Sequence, residues 1–349
     1  MSKYFLFLFT LFSFLFLAPP TFAQSTSEAK IINIVNQGDN QILTVEVTKG
    51  DLVSESPLTI TTSPQFGDYV FEVDQRVLVS SQIDPLNQQT IYRVEDYIRY
   101  DGIFLITLIF LIVVLFVARL YGITSVMGMV YSFFIIFKFT LPNILAGQNP
   151  VLFSVISAVI ILPVTFVLSH GFNKKTLIAL VATLFSIIFV GILAIIFSDL
   201  TYLTGTSNEE ASFVAALYGQ QINLKNLLLA GIIIASMGIL DDVAVSQVAI
   251  VQQLSETIEK PKFSVLFTRA MSVGRDHVSS MINTLILVYA GSSLPLLILF
   301  TNSQLTVLEA INFQLIAEEI VKTLVGSIAL MICVPISTFL AAKSFSKKS

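Results

Sequence analysis

From Ile103 to Leu340 the chain is a succession of apolar runs divided by short polar segments. Seven of them, 103–120, 122–141, 151–168, 177–197, 227–248, 281–300 and 320–340, approach the roughly 20 residues a helix needs to cross a hydrocarbon core. Upstream the pattern changes. "QILTVEVTKGD" alternates Leu43, Val45 and Val47 with Thr44, Glu46 and Thr48, the period of two that turns one face of a strand inward. "LTITT" and "YVFEVDQRVLVS" continue the alternation, with Gly50-Asp51 and Gly67-Asp68 as turn signals. The pattern predicts a small β-domain over 24–100, a five-stranded barrel, followed by a polytopic α-helical membrane domain of about seven transmembrane helices over 101–349.

Composition supports that division. Hydrophobic residues make up 55% of 349 and charged residues 12%, about half the charged share of a soluble chain. The net charge of −4 comes without a basic patch, so nucleic acid is not an expected partner; the bilayer is. One cysteine, Cys333, excludes an intrachain disulfide, and two histidines, His170 and His277, offer too little for a histidine metal site. No metal or cofactor is expected.

The opening "MSKYFLFLFTLFSFLFLAPPTFAQ" has a basic start, an apolar stretch, Pro19-Pro20 and a small residue at Ala23. It reads as a secretory signal over 1–23, with an uncleaved anchor helix as the alternative. Either way the β-domain is exported. With that end outside, the inner segments hold Arg119; Lys174 and Lys175; Lys260, Lys262, Arg269 and Arg275; and Lys343, Lys347 and Lys348. The outer loops between spans hold Lys225. Basic residues collect on the cytoplasmic side, which puts the C-terminus inside a multi-pass chain.

The fifth run carries two carboxylates, Asp241 and Asp242, in "AGIIIASMGILDDVAVSQVAI". An aspartate in a bilayer costs several kcal/mol and marks a functional position by default. Gly231, Ala235, Gly238, Asp242 and Ser246 recur every three or four residues, one stripe of a helix, where small residues admit a second helix. Asp241 points about 100° away. Asp242 is therefore expected to be buried in a helix contact, either as a binding group or as a packing residue. In the sixth run Asn283 and Thr284 lie at its depth and could donate to it. Further on, "YAGSSLP" places Tyr289, Gly291, Ser292, Ser293 and Pro295 near the midplane, where glycine and proline predict a kink or break. Such breaks expose backbone groups at transporter sites. In the seventh run Glu318 and Lys322 are spaced as an i,i+4 pair. Between the fifth and sixth runs, Phe263, Leu266, Phe267, Ala270 and Val273 predict an amphipathic helix along the inner surface or a docking helix for a cytoplasmic partner.

Several stretches together resemble the YibE/F-like family of bacterial multispanning proteins: "GQNPVLFSVISAVIILPVTFVLSHGFNKKTL", "LTG" at 203–205, "AGIIIASMGILDDVAVS", "VGRDHVSSMINTLILVYAGSSLPLL" and "EEIVKTLVGSIALMICVPIST". The family pattern carries one aspartate in "DVAVS", matching Asp242, and an apolar residue at the position of Asp241. Gly238, Ser246, Gly274, Arg275, Asp276, Asn283, Thr284, Tyr289, Gly291 and Pro295 match as well. The resemblance implies a plasma-membrane protein of permease type.

Two functions stay open: a permease with Asp242 as a cation- or proton-linked group, and a non-transporting component that docks a second membrane subunit or a cytoplasmic partner. An enzyme is not expected. Neighbouring aspartates on one helix cannot face each other as a protease pair, and the charge count puts His170 and His277 on the opposite membrane surface from Glu318 and Glu319.

Overall fold

The computed structural model describes residues 26–38, 40–62, 70–83, 90–207, 209–301 and 305–346. The signal, the Gly67-Asp68 turn, Lys347 and Lys348 lie outside them. The chain forms two compact units, Met1–Phe116 and Val117–Ser349.

The first unit holds five strands: β1 Thr26–Gln37, β2 Asn40–Lys49, β3 Leu58–Thr62, β4 Arg76–Ile83 and β5 Thr90–Tyr97. They pair antiparallel in the order β3-β2-β1-β4-β5. The edge strands β3 and β5 approach each other without exchanging ladder hydrogen bonds, so the expected barrel is a curled sheet that stops short of closing. Leu43, Val45 and Val47 face its core beside Ile31, Ile60, Val77 and Val79. Gln41, Ser27 and Ser80 are buried with them. The Gln41 amide donates to Phe71 O at 3.3 Å and accepts from Phe71 N at 2.9 Å, pinning an irregular segment as a strand neighbour would. Ser27 Oγ accepts from Leu52 N at 3.1 Å, and Gly50, at φ +116°, passes so close that a Cβ there would lie 2.5 Å from that oxygen.

A charged cluster ties the sheet to the helix that follows it. Arg76 pairs with Glu28 at 3.1 Å and with Asp101 at 2.6 Å, and its guanidinium lies 5.1 Å from the Tyr100 ring centroid. Partial desolvation of Glu28 is outweighed by the Tyr100 hydroxyl, Lys49 and Arg76, which hold its carboxyl below the ordinary range.

Helix α1, Tyr100–Ile135, begins in this unit and continues into the second through Arg119, whose φ of 52° and ψ of −134° break the helical dihedrals. A π-turn, Ile136–Thr140, leads into the short α2, Leu141–Leu145. The remaining helices are α3 Pro150–His170, α4 Lys174–Leu200, α5 Glu209–Tyr218, α6 Leu224–Thr257, α7 Phe263–Ser292, α8 Leu294–Thr301, α9 Val307–Asn312 and α10 Gln314–Phe345. Asn149, Asn173 and Asn223 start α3, α4 and α6, each accepting a backbone N–H of the first turn through its side chain. These caps lie beyond the apolar runs, so the helices outlast their hydrophobic segments.

Among the described residues, five helical segments are long and apolar enough to cross a membrane, or six if α7 and α8 count as one. The first, Tyr100–Leu145, has 46 residues, and none of its most apolar stretch is buried. The expected break in the sixth run is present: α7 and α8 meet at 69° across Ser293. The amphipathic stretch from Phe263 is not a separate surface helix. It is the first half of α7, because Leu266, Ala270 and Gly274 are buried against neighbouring helices and give the chain no reason to turn.

Helices α4, α6 and α10 pack on one another, with α3 against α4 and α6 and α7 against α10. One polar junction stands out in this core. Gln247 of α6, 2% exposed, donates to Ala270 O of α7 at 2.9 Å and to Thr338 Oγ1 of α10 at 2.7 Å. Gly274 of α7 lies against the same amide: a Cβ there would sit 2.7 Å from Val334 Cγ1 and 2.9 Å from both Gln247 terminal atoms.

Candidate functional site

Helix α6 lines several cavities, two of which hold candidate groups. Toward its first third lies one of about 400 Å³, lined by Gly231, Ile232 and Ala235 of α6, Tyr289 of α7, Glu318 and Lys322 of α10, and Gly205 and Glu210 before and within α5. Glu318 is 2% exposed. Its Oε1 accepts from Gln314 Nε2 at 3.0 Å, and Oε2 accepts from the Ser207 hydroxyl. Gln314 also donates to Thr204 Oγ1 at 2.6 Å. The loop containing Leu203-Thr204-Gly205 is thereby latched to the start of α10. Gly205 makes the latch possible, because at φ +76° a Cβ would fall 2.3 Å from Leu224 O. The i,i+4 pairing expected for Lys322 is not made: its ammonium reaches Glu319 at 2.7 Å, leaving Glu318 to the loop.

The second cavity, of about 200 Å³, lies at the middle of α6, between Met237, Gly238 and Asp241 of α6, Ser125, Gly128 and Ser132 of α1, and Thr165 and Ser169 of α3. Gly128 lets α1 and α3 approach, its Cβ position being 3.6 Å from Thr165. Asp241 Oδ1 is buried and has no hydrogen-bond partner.

This placement corrects the sequence expectation for Asp242. Gly231, Ala235, Gly238, Asp242 and Ser246 do form one stripe, but every one of them is exposed, and no atom lies within 4 Å of a Cβ built on Gly231 or Gly238. The large residues Ile233, Leu240, Val243 and Val248 occupy the buried faces instead, filling the spaces toward the neighbouring helices. Asp242 is thus an exposed carboxylate in this chain, and the buried carboxylate oxygen belongs to Asp241. Asn283 and Thr284 are exposed and make no hydrogen bond to Asp242; Thr284 donates to Ser280 O of its own helix at 3.0 Å. Ser292 likewise donates to Tyr289 O at 2.9 Å. Gly291 and Pro295 are exposed at the α7–α8 bend. Tyr289 is shared between the larger cavity and an apolar one of about 320 Å³ under that bend, which Ser293 also lines.

Sequence reasoning put Asp242 ahead of Asp241 and missed the Ser207–Glu318 latch and Gln247. Of the two that were missed, Gln247 left a trace, as a polar residue inside a helical pattern with no obvious surface face.

Long apolar helices packed on one another define a membrane-embedded helical protein by length and composition. The chain belongs to the YibE/F-like family: the model of the YibE/F-like protein matches residues 106–347. Comparison with curated proteins and with solved structures gives no match.

Proposed function

We propose that the protein is a bacterial plasma-membrane permease for a small solute, with its β-domain outside and its C-terminus in the cytoplasm. The observation that carries this reading is that one core helix, α6, walls two cavities at different heights, one mostly apolar with a few polar groups and one lined by polar side chains. Ten residues separate Gly231 from Asp241, roughly 15 Å along the axis. The larger cavity has the volume of a small-molecule site, apolar walls and a few convergent polar groups. Tyr289 joins it to the helix pair bent by 69°, the kind of interrupted span that builds transporter sites. Topology follows from length and charge. The stretch Tyr100–Leu145 would be roughly 69 Å long as one helix, over twice a hydrocarbon core of about 30 Å. Crossing twice with a turn at Arg119 gives seven crossings with α7–α8 counted once, and puts the basic segments inside.

A second reading draws on the exposed Asp242 stripe. A carboxylate turned to lipid is expensive, and small residues suit a close helix contact, so this face of α6 fits a second membrane subunit.

One experiment separates the two. Cells lacking the protein, cells with the wild-type chain and cells with Glu318→Gln are compared by untargeted mass spectrometry of contents and medium. A permease shifts at least one small solute between cells and medium, and the variant, still inserted, loses most of that shift. Identical profiles in all three contradict the permease and leave the docking role.

A further inference from the structure

The oxygens around Asp241 have largely committed their protons elsewhere. Ser132 Oγ donates to Gly128 O at 3.0 Å, Thr165 Oγ1 to Leu162 O at 3.1 Å, and Ser125 Oγ to Ser169 Oγ at 3.3 Å. A hydroxyl whose hydrogen is taken has lone pairs left to offer. Asp241 adds an ionisable carboxylate with a buried, unpartnered Oδ1, and such an atom is costly to leave unsatisfied. Apart from the Ser169 hydroxyl, which accepts from Ser125 and keeps its own proton, the cavity offers acceptors, which repels an anion and suits a cation.

Size and charge narrow the class. At about 200 Å³ the space lies below the usual range for organic ligands. It equals about half a dozen waters at roughly 30 Å³ each, enough for an ion with part of its hydration shell. Asp241 is the only carboxylate among the lining residues. Among the described residues no three His, Cys, Asp or Glu side chains converge as a metal site. One negative charge with neutral oxygens around it matches one positive charge, whereas divalent ions gather more carboxylates.

We propose that this cavity binds a monovalent metal cation, with sodium as the test ion, at Asp241 and the hydroxyl oxygens of Ser132 and Thr165. Its use as a coupling ion rests on the permease reading; the binding itself does not.

The test is equilibrium binding of radioactive sodium to the purified full chain in detergent. It is paired with thermal unfolding in sodium chloride against choline chloride at fixed pH and ionic strength. The wild type binds saturably, one ion per chain, and unfolds at a higher temperature in sodium. Asp241→Asn loses both effects, while Asp242→Asn keeps them. Thr165→Val and Ser132→Ala each weaken binding by roughly tenfold, as expected for one lost polar contact; they keep the test alive if Asp241→Asn fails to fold. No saturable binding by the wild type, equal binding by Asp241→Asn, or stabilisation that follows pH and ignores sodium would overturn the proposal. Sodium binding without solute redistribution keeps the site and removes the permease; redistribution without sodium binding does the reverse.

Discussion

Gly205→Ala is expected to destabilise the helical unit by about 3 kcal/mol or more, within the range for a strained backbone position that also clashes. The added methyl would sit 2.3 Å from Leu224 O and 2.6 Å from its carbonyl carbon. Both are backbone atoms at the start of α6 and cannot rotate aside. The loop must move, and it carries Thr204 and Ser207, the groups that hold Gln314 and Glu318. Thermal unfolding of the detergent-solubilised chain measures the loss. Gly231→Ala is the control: nothing lies within 4 Å of its Cβ position, and replacing a mid-helix glycine gains up to about 1 kcal/mol of helix propensity. Equal stability of the two variants would mean that the loop does not run against α6.

Gln247→Leu is expected to cost about 2 kcal/mol. Its amide is the polar tie between α6, α7 and α10, and interhelical hydrogen bonds in membranes reach about 1 to 2 kcal/mol each. Leucine keeps much of the volume, so the loss reports the hydrogen bonds rather than a cavity. Gly274→Ala should cost a similar amount by overpacking, through its approach to Val334 and the Gln247 amide. Because both changes act on one junction, the double variant should cost less than the sum of the two. Strict additivity would contradict the contact.

The architecture was largely legible because its two periods differ. Alternation predicted Leu43, Val45 and Val47 as core residues, and they are 0%, 0% and 5% exposed. Apolar runs located the centres of α3, α4, α6 and α10, while the asparagine caps and polar ends beyond each run set lengths that hydropathy does not encode. Gly291 and Pro295 announced the bend between α7 and α8. The site was far less legible. Sequence spacing shows which residues of α6 share a face but not which face meets α3 and α10, and a rotation of about 100° separates Asp241 from Asp242. Small residues suggested a covered face, yet the covered faces took Ile233, Leu240 and Val248, and the small stripe remained open. One of the two partners of Glu318, Ser207, lies 111 positions away, beyond the reach of any local pattern.

The most direct measurement is thiol labelling of Thr165→Cys in membranes, using a cationic and an anionic methanethiosulfonate of similar size, with the unsubstituted chain as blank because Cys333 is buried. Rates are normalised to those of a free thiol. If Asp241 stands in a water-reachable, acceptor-lined cavity, the cationic reagent reacts preferentially, sodium slows it, and Asp241→Asn abolishes the preference while Asp242→Asn does not. An unreactive cysteine, or a charge preference that survives Asp241→Asn and disappears with Asp242→Asn, would contradict it.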